Sequence, residues 1–395
     1  MIQKILIFNY TGWNQTVASL IEGLKLNKNL QLFSTTKSNY GNGIVIKSPR
    51  HYSVYPIGDS SMWIQSFVMG EEEYATECRQ LMDECDIIVM FNHNGTESSA
   101  HFRVCDENIL SQDLINYYTK QGYALKHDGE VLTYLHMEAL QYFKNKVVMI
   151  NPGDYSTINK MYGDYVGAHP TYSKIYFKRE KSLDIDWPDN VHPIPFSAED
   201  RYFVRGKDFD KIWSNKKLNL SCLFRTECHV DRPSVKEEII KHYSGDELCV
   251  VDAVFGRNKN DGLDEQLEGS DTGDCIRHHH NYFDILSNVK INIEGPVGNL
   301  AFYTGRMMES LANGCCYFYP TPNYNVDFPN GLIDGEDFII YHNLDELIEK
   351  IEYYLLHEEE MRAIAENGFN KLLKYHTSEV RAKEFIETCE RYMYD

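Results

Sequence analysis

The sequence lacks several features that would place it outside the class of ordinary globular proteins. No segment approaches ~18 consecutive apolar residues, so no membrane span is expected. The ten cysteines form no Cys-x-x-Cys pair, which is typical of reduced thiols in a cytosol-like compartment. The beginning of the sequence shows no basic region followed by a long apolar region, so no signal peptide is expected. These features together predict a cytoplasmic location.

Basic residues are also scarce. The chain has 39 Lys and Arg against 59 Asp and Glu, which gives a formal net charge of −20. Such a charge repels nucleic acids and anionic membranes at long range, so a nucleic-acid partner is not expected. A local basic cleft remains compatible with this balance.

What the sequence does contain is a globular composition and alternating helix and strand patterns. With 395 residues and 43% hydrophobic content, the chain is expected to form two domains. Apolar strand patterns at 4–9, 86–91 and 146–151 alternate with helical patterns in the first half, and a second such series begins at residue 218. This order predicts an α/β fold with two doubly wound parallel sheets and a cleft between them. The predicted boundaries are 1–197 for an N-terminal domain, 198–217 for a linker, 218–377 for a C-terminal domain, and 378–395 for a final helix that returns to the N-terminal domain.

The most informative segment is 282–314. A strand pattern at 289–293 leads into a loop that contains Gly295, Gly298 and Asn299, and a helix then carries Arg306 and Glu309. A strand, a glycine loop and a helix N-terminus present backbone N–H groups and a positive dipole end to a phosphate. Arg306 and Glu309 lie three residues apart on a largely apolar helix, where a charged residue needs a partner or a ligand. The alternative is a surface ion pair worth ~0.3 kcal/mol.

Two further basic residues are candidates for the same site. Arg225 follows the first strand of the predicted C-terminal domain, and Arg232 follows seven residues later. Both are candidates for stabilising a diphosphate leaving group as its negative charge develops. The alternative is that Arg232 forms ion pairs with neighbouring glutamates on a solvated helix.

The N-terminal domain offers candidate general bases at the ends of its strands. His93 and Glu97 follow the 86–91 strand, and Asp154 follows the 146–151 strand. Groups at strand ends in open sheets face the ligand, and perturbed pKa values there would suit proton transfer. The three consecutive histidines at 278–280 lack a carboxylate or thiolate at ligand spacing, so no metal site is expected.

The chain resembles glycosyltransferases of the two-Rossmann-domain (GT-B) type, and within them the group related to spore-maturation glycosyltransferases. The resemblance covers roughly residues 282–393. It rests on YFDILSNVKINIEG, on the Arg306-x-x-Glu309-x-Leu-Ala-x-Gly314 helix, and on the ending from Gly368 to Arg381 that contains Tyr-His-Thr.

The resemblance implies a nucleotide-sugar donor, such as a UDP- or GDP-sugar, held by the C-terminal domain. Glu309 would match the family glutamate that hydrogen-bonds the ribose hydroxyls, and Arg306 would lie near the donor phosphates. Arg225 would match the basic residue after the first strand of that domain. Such folds generally need no cofactor and no bound metal.

One position departs from the family pattern. Retaining members often carry Glu-x7-Glu, but the residue eight positions before Glu309 is Ala301, and Glu294 is too far upstream to be its replacement. The sequence therefore leaves the stereochemistry open. An inverting enzyme would need a base such as His93, Glu97 or Asp154, whereas in a retaining one the donor phosphate would guide the acceptor.

The predicted function is transfer of a sugar, hexosyl or pentosyl, from a nucleoside-diphosphate sugar to the hydroxyl of a glycan or other acceptor. Three alternatives remain. One is an epimerase or hydrolase of nucleotide sugars with the same fold, and another is a non-catalytic module that binds nucleotide sugars. A DNA-modifying glucosyltransferase is disfavoured by the net charge.

Overall fold

The computed structural model describes residues 1–8, 15–34, 55–57, 71–91, 139, 142–152, 173–224, 232–243, 245–250, 280–296, 304–322 and 325–394. The chain divides into two compact units. The first comprises residues 1–195 and 382–395, and the second comprises residues 196–381. Both are α/β units built on predominantly parallel sheets.

The first unit is built on a sheet with the strand order β3-β2-β1-β4-β5-β6-β7. All neighbouring pairs are parallel except β2 and β3, which form an antiparallel edge. The strands are β1 (Lys4–Phe8), β2 (Gln31–Ser34), β3 (Tyr55–Ile57), β4 (Ile87–Phe91), β5 (Val147–Asn151), β6 (Ile175–Lys178) and β7 (Val191–Pro193), with helices α1 (Gln15–Leu26) and α2 (Glu71–Glu84) and a 3-10 turn at Lys144–Lys146.

The second unit has a parallel sheet with the order β12-β11-β10-β8-β9. Its strands are β8 (Leu218–Ser221), β9 (Cys249–Val250), β10 (Val289–Ile293), β11 (Cys316–Pro320) and β12 (Ile339–Tyr341). A 3-10 turn at Asp200–Tyr202 precedes the helices of this unit, which are α3 (Phe209–Ser214), α4 (Arg232–Tyr243), α5 (His280–Asn288), α6 (Gly305–Ala312), α7 (Leu344–Leu356) and α8 (Glu358–Tyr375). The last helix, α9 (Ser378–Tyr394), begins in the second unit and belongs to the first unit from residue 382 onward.

The core of the first unit is assembled from both ends of the chain. Alternate residues of β1 and β4 point to one face of the sheet, where they meet the apolar stripe of α1. The C-terminal helix α9 completes this cluster with Ala382, Phe385 and Cys389, all of them buried. Their spacing of three and four residues places them on one helical face, which explains why this helix docks by its apolar side.

Residues 198–217, read from the sequence as a linker, fold into the second unit. The side chains of Phe209, Ile212 and Trp213 recur at helical spacing in α3 and are buried in the core of that unit. Asp208 caps this helix by accepting a hydrogen bond from the backbone N–H of Lys211. Although the stretch is polar overall, it contains a short amphipathic helix, and its apolar face explains why the stretch packs into the second unit.

The strands predicted at 4–9, 86–91 and 146–151 and the final helix predicted at 378–395 agree with the structure to within one residue at each end. The strands β6 and β7 were not predicted. None of the described helices is both long and apolar enough to cross a membrane.

Candidate functional site

The topology of the second unit indicates where a ligand would bind. From β8 the chain proceeds to β9 on one side, whereas from β10 it proceeds to β11 and β12 on the other side. Ligands of open α/β sheets bind outside the carboxyl ends of the strands at the point where the direction of winding reverses. That point lies between β8 and β10, whose carboxyl ends lead to Phe224 and to Glu294–Gly295.

Two helices begin at the same edge of the sheet. Helix α4 starts at Arg232 after β8, and α6 starts at Gly305 after β10. Thr304 caps α6, since its side-chain oxygen accepts a hydrogen bond of 3.2 Å from the backbone N–H of Met307. Helix N-termini carry partial positive charge and favour bound anions.

A buried carboxylate, Glu294, organises this edge. It has no exposed surface, and Arg306 donates a hydrogen bond from Nη1 to its Oε1. The Nη2 of Arg232 lies 3.5 Å from the same oxygen. The Tyr317 hydroxyl donates to Oε2 at 2.9 Å, and the Thr304 hydroxyl lies 3.3 Å from Oε2. Glu294, which lies too far upstream of Glu309 to fit the family spacing, is therefore a residue of the site that the sequence does not predict.

Arg232 is held over an aromatic ring and against the glycine loop. Its guanidinium carbon lies 5.6 Å from the centroid of the Phe224 ring, and its Nε donates to the carbonyl oxygen of Pro296 at 3.0 Å. The side chain is 6% exposed, so the solvated-face interpretation of Arg232 is wrong. A Cβ at Gly295 would lie 2.6 Å from Phe224 Cε2, which explains the requirement for glycine at this position.

Glu309 is the second buried carboxylate of the site. Its side chain has no exposed surface, and the Tyr282 hydroxyl of α5 donates to its Oε2 at 2.8 Å. Burial lowers the pKa of Arg306, but the charge of Glu294, with smaller contributions from Tyr282, Tyr317 and Glu309, raises this pKa above its ordinary value. Arg306 is therefore a permanent cation among two acidic side chains and two phenols.

A chain of buried hydrogen bonds joins the elements under the site. The Ser221 hydroxyl donates to Asn292 Oδ1 at 2.8 Å, and Asn292 Nδ2 donates to the Ser310 hydroxyl at 2.8 Å. The Ser310 hydroxyl in turn donates to the carbonyl oxygen of Arg306 at 2.7 Å. Strands β8 and β10 are thus tied to α6, which fixes the position from which the arginine side chain extends.

The first unit carries a polar cluster at the carboxyl ends of β5 and β6. Asn151 and Lys178 are register partners, and Lys178 Nζ donates to Asn151 Oδ1 at 3.3 Å. Asn151 Nδ2 donates to the Tyr176 hydroxyl at 2.8 Å. Burial lowers the pKa of Lys178 to about 8, although the nearby charge of Glu180 opposes this shift. This cluster directly precedes the loop in which the sequence places Asp154.

The structure brings together Arg232, Gly295 and Arg306 around one carboxylate, and it places Glu309 on the same helix as Arg306. The other predicted residues lie outside the described part of the chain: His93, Glu97, Asp154, Arg225, Gly298 and Asn299. Glu294, Tyr282, Tyr317 and Phe224 were missed. The one available signal was an acidic residue directly after the strand VKINI, at a strand end where ligands bind.

A family model described as "Glycosyl transferase-like" matches residues 252–387. No curated protein gives a significant match to the sequence. The fold is similar to that of a glycosyltransferase from Rickettsia africae, with a TM-score of 0.57, 11% identity, and coverage of 100% of this chain and 99% of the other. It is also similar to HepE from Anabaena in complex with UDP, with a TM-score of 0.54, 8% identity, and coverage of 99% and 100%.

A third similar structure is the sucrose-phosphate synthase of Thermosynechococcus elongatus, with a TM-score of 0.51, 10% identity, and coverage of 99% of each chain. These structural similarities extend over nearly the whole chain, and at such low sequence identities they establish the fold alone. The protein accordingly has the α/β fold of GT-B glycosyltransferases, with two Rossmann-like domains.

Proposed function

We propose that the protein is a glycosyltransferase that moves a sugar from a nucleoside-diphosphate sugar to an acceptor hydroxyl. The observation that carries this proposal is the pair of arginines, Arg232 and Arg306, gathered at the switch point of the second sheet beside two helix N-termini. This arrangement suits a diphosphate. The match of residues 252–387 to a glycosyl transferase-like model supports it.

Two complexes among the similar proteins favour a uridine nucleotide. HepE from Anabaena was crystallised with UDP and with UDP-glucose. The ending that contains Tyr-His-Thr supports a finer placement near the spore-maturation group. Whether the sugar is a hexose or a pentose is to be decided by assay.

In the proposed reaction, the bond between the anomeric carbon and the diphosphate oxygen breaks, and a bond to the acceptor oxygen forms. Negative charge grows on the leaving diphosphate, and the guanidinium groups with the N-terminus of α6 would stabilise that charge. Glu309, held by Tyr282, would accept hydrogen bonds from the ribose hydroxyls. The proton of the acceptor hydroxyl would pass to a base such as His93, Glu97 or Asp154, or to the departing phosphate.

The first test is binding of UDP-, GDP-, TDP- and CDP-sugars, measured by the thermal shift of the wild-type protein. A ligand at about 100 times its Kd adds ~2.7 kcal/mol to the free energy of unfolding, which is a readily measured shift. Arg306→Lys keeps the charge but loses the planar fork, so its donor-induced shift should fall. The matched control is Lys241→Arg on α4, which likewise exchanges one cation for another. The Lys241 side chain is 69% exposed and forms an ion pair with Glu238 of the same helix.

Turnover separates the alternatives. Sugar transfer to a supplied acceptor supports the proposal, whereas release of free UDP and sugar at the same rate without an acceptor supports a hydrolase. Donor binding without any turnover across a broad acceptor panel supports a binding module. The configuration of the product at the anomeric carbon, read by NMR, decides between retention and inversion.

The reaction is also proposed to proceed without a bound metal, because the arginines and the helix N-terminus supply positive charge where a metal would otherwise be needed. Activity should therefore stay within about twofold in excess EDTA, a change in activation free energy well below the roughly 1.36 kcal/mol that corresponds to a tenfold change in rate. A loss that Mg²⁺ or Mn²⁺ restores would contradict this part of the proposal. A reducing, cytoplasmic location is also proposed, and it is supported by the six cysteines whose side chains the structure describes, which are free thiols.

A further inference from the structure

Glu294 occupies the place where an anionic ligand would be expected. One oxygen, Oε1, faces three donors: the guanidinium of Arg306, the guanidinium of Arg232 at 3.5 Å, and the backbone N–H of Gly295 at 3.2 Å. Two guanidiniums and a loop N–H beside a helix N-terminus form the donor set that phosphate oxygens seek.

The second oxygen of Glu294 has a different environment. Oε2 accepts a hydrogen bond from the Tyr317 hydroxyl at 2.9 Å and lies 3.3 Å from the Thr304 hydroxyl. The backbone carbonyl of Glu294 accepts a further hydrogen bond from the Tyr341 hydroxyl at 2.7 Å. Neutral hydroxyls therefore anchor the residue on one side, and the other side is presented to the cations.

Stability alone does not account for this arrangement. Burying a carboxylate and two guanidiniums carries a desolvation penalty that often exceeds their attraction, and well-packed neutral residues are frequently as stable. The best-attested use of such buried groups is as a device for specificity or switching. Here the device sits at the edge of the sheet where the diphosphate would bind.

We propose that Glu294 is a positioning residue that holds Arg306 and Arg232 together as a pair and competes with the diphosphate for them, so that the nucleotide product is released. This inference rests on the proposed function. The three side chains Glu294, Arg232 and Arg306 together carry a single net positive charge. The donor is still attracted, but the diphosphate product, with its greater negative charge, is held less tightly than two uncompensated arginines would hold it.

The test is calorimetric titration of UDP and of inorganic pyrophosphate into the wild-type protein and Glu294→Gln. The amide keeps the shape and the accepting oxygen but removes one negative charge near the ligand. UDP should bind at least about fivefold more tightly to the variant, which is the effect of a unit charge about 4 Å away at the dielectric constant of water, and a lower effective dielectric constant increases this factor. Turnover should fall and product inhibition by UDP should strengthen, so that kcat drops while the Kd of UDP decreases.

Two controls isolate the local charge. Glu294→Asp keeps the charge and should not tighten UDP binding. Glu238→Gln on the surface of α4 changes the net charge of the chain by the same amount, and should leave the UDP affinity within about twofold because solvent screens surface charges. A merely structural role for Glu294 predicts the opposite sign, since a loosened site binds UDP more weakly.

The outcomes are separable. If the wild type binds neither UDP, another nucleoside diphosphate nor pyrophosphate, the proposed function fails and this inference fails with it. If the wild type binds and Glu294→Gln binds equally or more weakly, only the inference is overturned. If the variant does not fold, a crystal structure of the wild type with UDP decides: Arg306 should contact a phosphate oxygen, and an Arg306 that contacts Glu294 alone would overturn the proposal.

Discussion

Replacing Gly295 by alanine should damage both the stability of the second unit and its affinity for nucleotide. A Cβ at this position would lie 2.6 Å and 2.7 Å from Cε2 and Cζ of Phe224, and 3.0 Å from Cγ of Arg232. These separations are shorter than carbon atoms tolerate, so the ring and the arginine stem must move. Because the Phe224 ring supports the Arg232 guanidinium, the displacement should also move that cation.

The magnitude follows from two opposing effects. Overpacking a buried site costs ~1–3 kcal/mol, and the reduced freedom of the unfolded chain offsets this by ~0.4–1 kcal/mol. A net loss of roughly 1.5 kcal/mol should lower the Tm by ~3–6 °C for a unit of the size of residues 196–381. Urea unfolding with fluorescence detection measures the loss directly, and calorimetry should show weaker UDP binding.

A double-mutant cycle tests the stated cause. Phe224→Leu removes the atoms that the new Cβ would strike, so the combined Gly295→Ala/Phe224→Leu variant should lose less free energy of unfolding than the sum of the two single variants. Interacting neighbours typically deviate from additivity by ~0.5–3 kcal/mol. Additive losses would refute the steric explanation, and so would a Gly295→Ala variant as stable as the wild type.

Three other predictions concern single side chains. Tyr282→Phe removes the hydroxyl that donates to Glu309, so it should lower the free energy of unfolding by ~1–3 kcal/mol. Calorimetry should show weaker binding of UDP but unchanged binding of pyrophosphate, which has no ribose. Equal weakening for both ligands would count against a contact between Glu309 and the ribose. Burial lowers the pKa of Lys178 in the folded protein to about 8, from the ordinary value of 10.5. Because the unfolded chain binds more protons between these two pH values, the free energy of unfolding of the wild type should rise by up to about 3 kcal/mol relative to Lys178→Met as the pH increases through that window. Parallel pH profiles of urea unfolding for the two proteins would contradict the shift. Gly368→Ala would place a Cβ in steric conflict with the backbone oxygen of Asp337, so it should lower the free energy of unfolding in urea by ~2 kcal/mol or more. Asn370→Ala, on the exposed side of the same helix, should instead raise it by ~0.5 kcal/mol. Equal stability of the two variants would contradict the steric explanation.

Elements with a strong local pattern could be predicted from the sequence. The apolar runs of β4 and β5 indicate buried parallel strands because no polar residue interrupts them. Strand β6 escaped prediction because charged residues flank its four-residue core, and Lys178 belongs to the strand although it is fully buried. A buried lysine cannot be told from a surface lysine until its partner on the neighbouring strand is known.

The site shows the same limit. Arg306 and Glu309 could be identified from their spacing, but their partners could not. Glu294 meets Arg232, which lies 62 residues upstream in the chain, and Glu309 meets Tyr282 from another helix. Such contacts depend on how β8 and β10 are paired, which no local pattern encodes.

The composition of the first unit from residues 1–195 and 382–395 has a consequence for synthesis on the ribosome. Its core needs Phe385 and Cys389, which emerge after the whole of the second unit, whereas the continuous second unit can complete its core earlier. The usual order, in which the N-terminal domain folds first, is therefore reversed for the final packing step. A chain cut before residue 382 should leave the first unit open to proteases while the second unit stays resistant, so a lesion that removes residues 382–395 would disable the unit that contains residues 1–195.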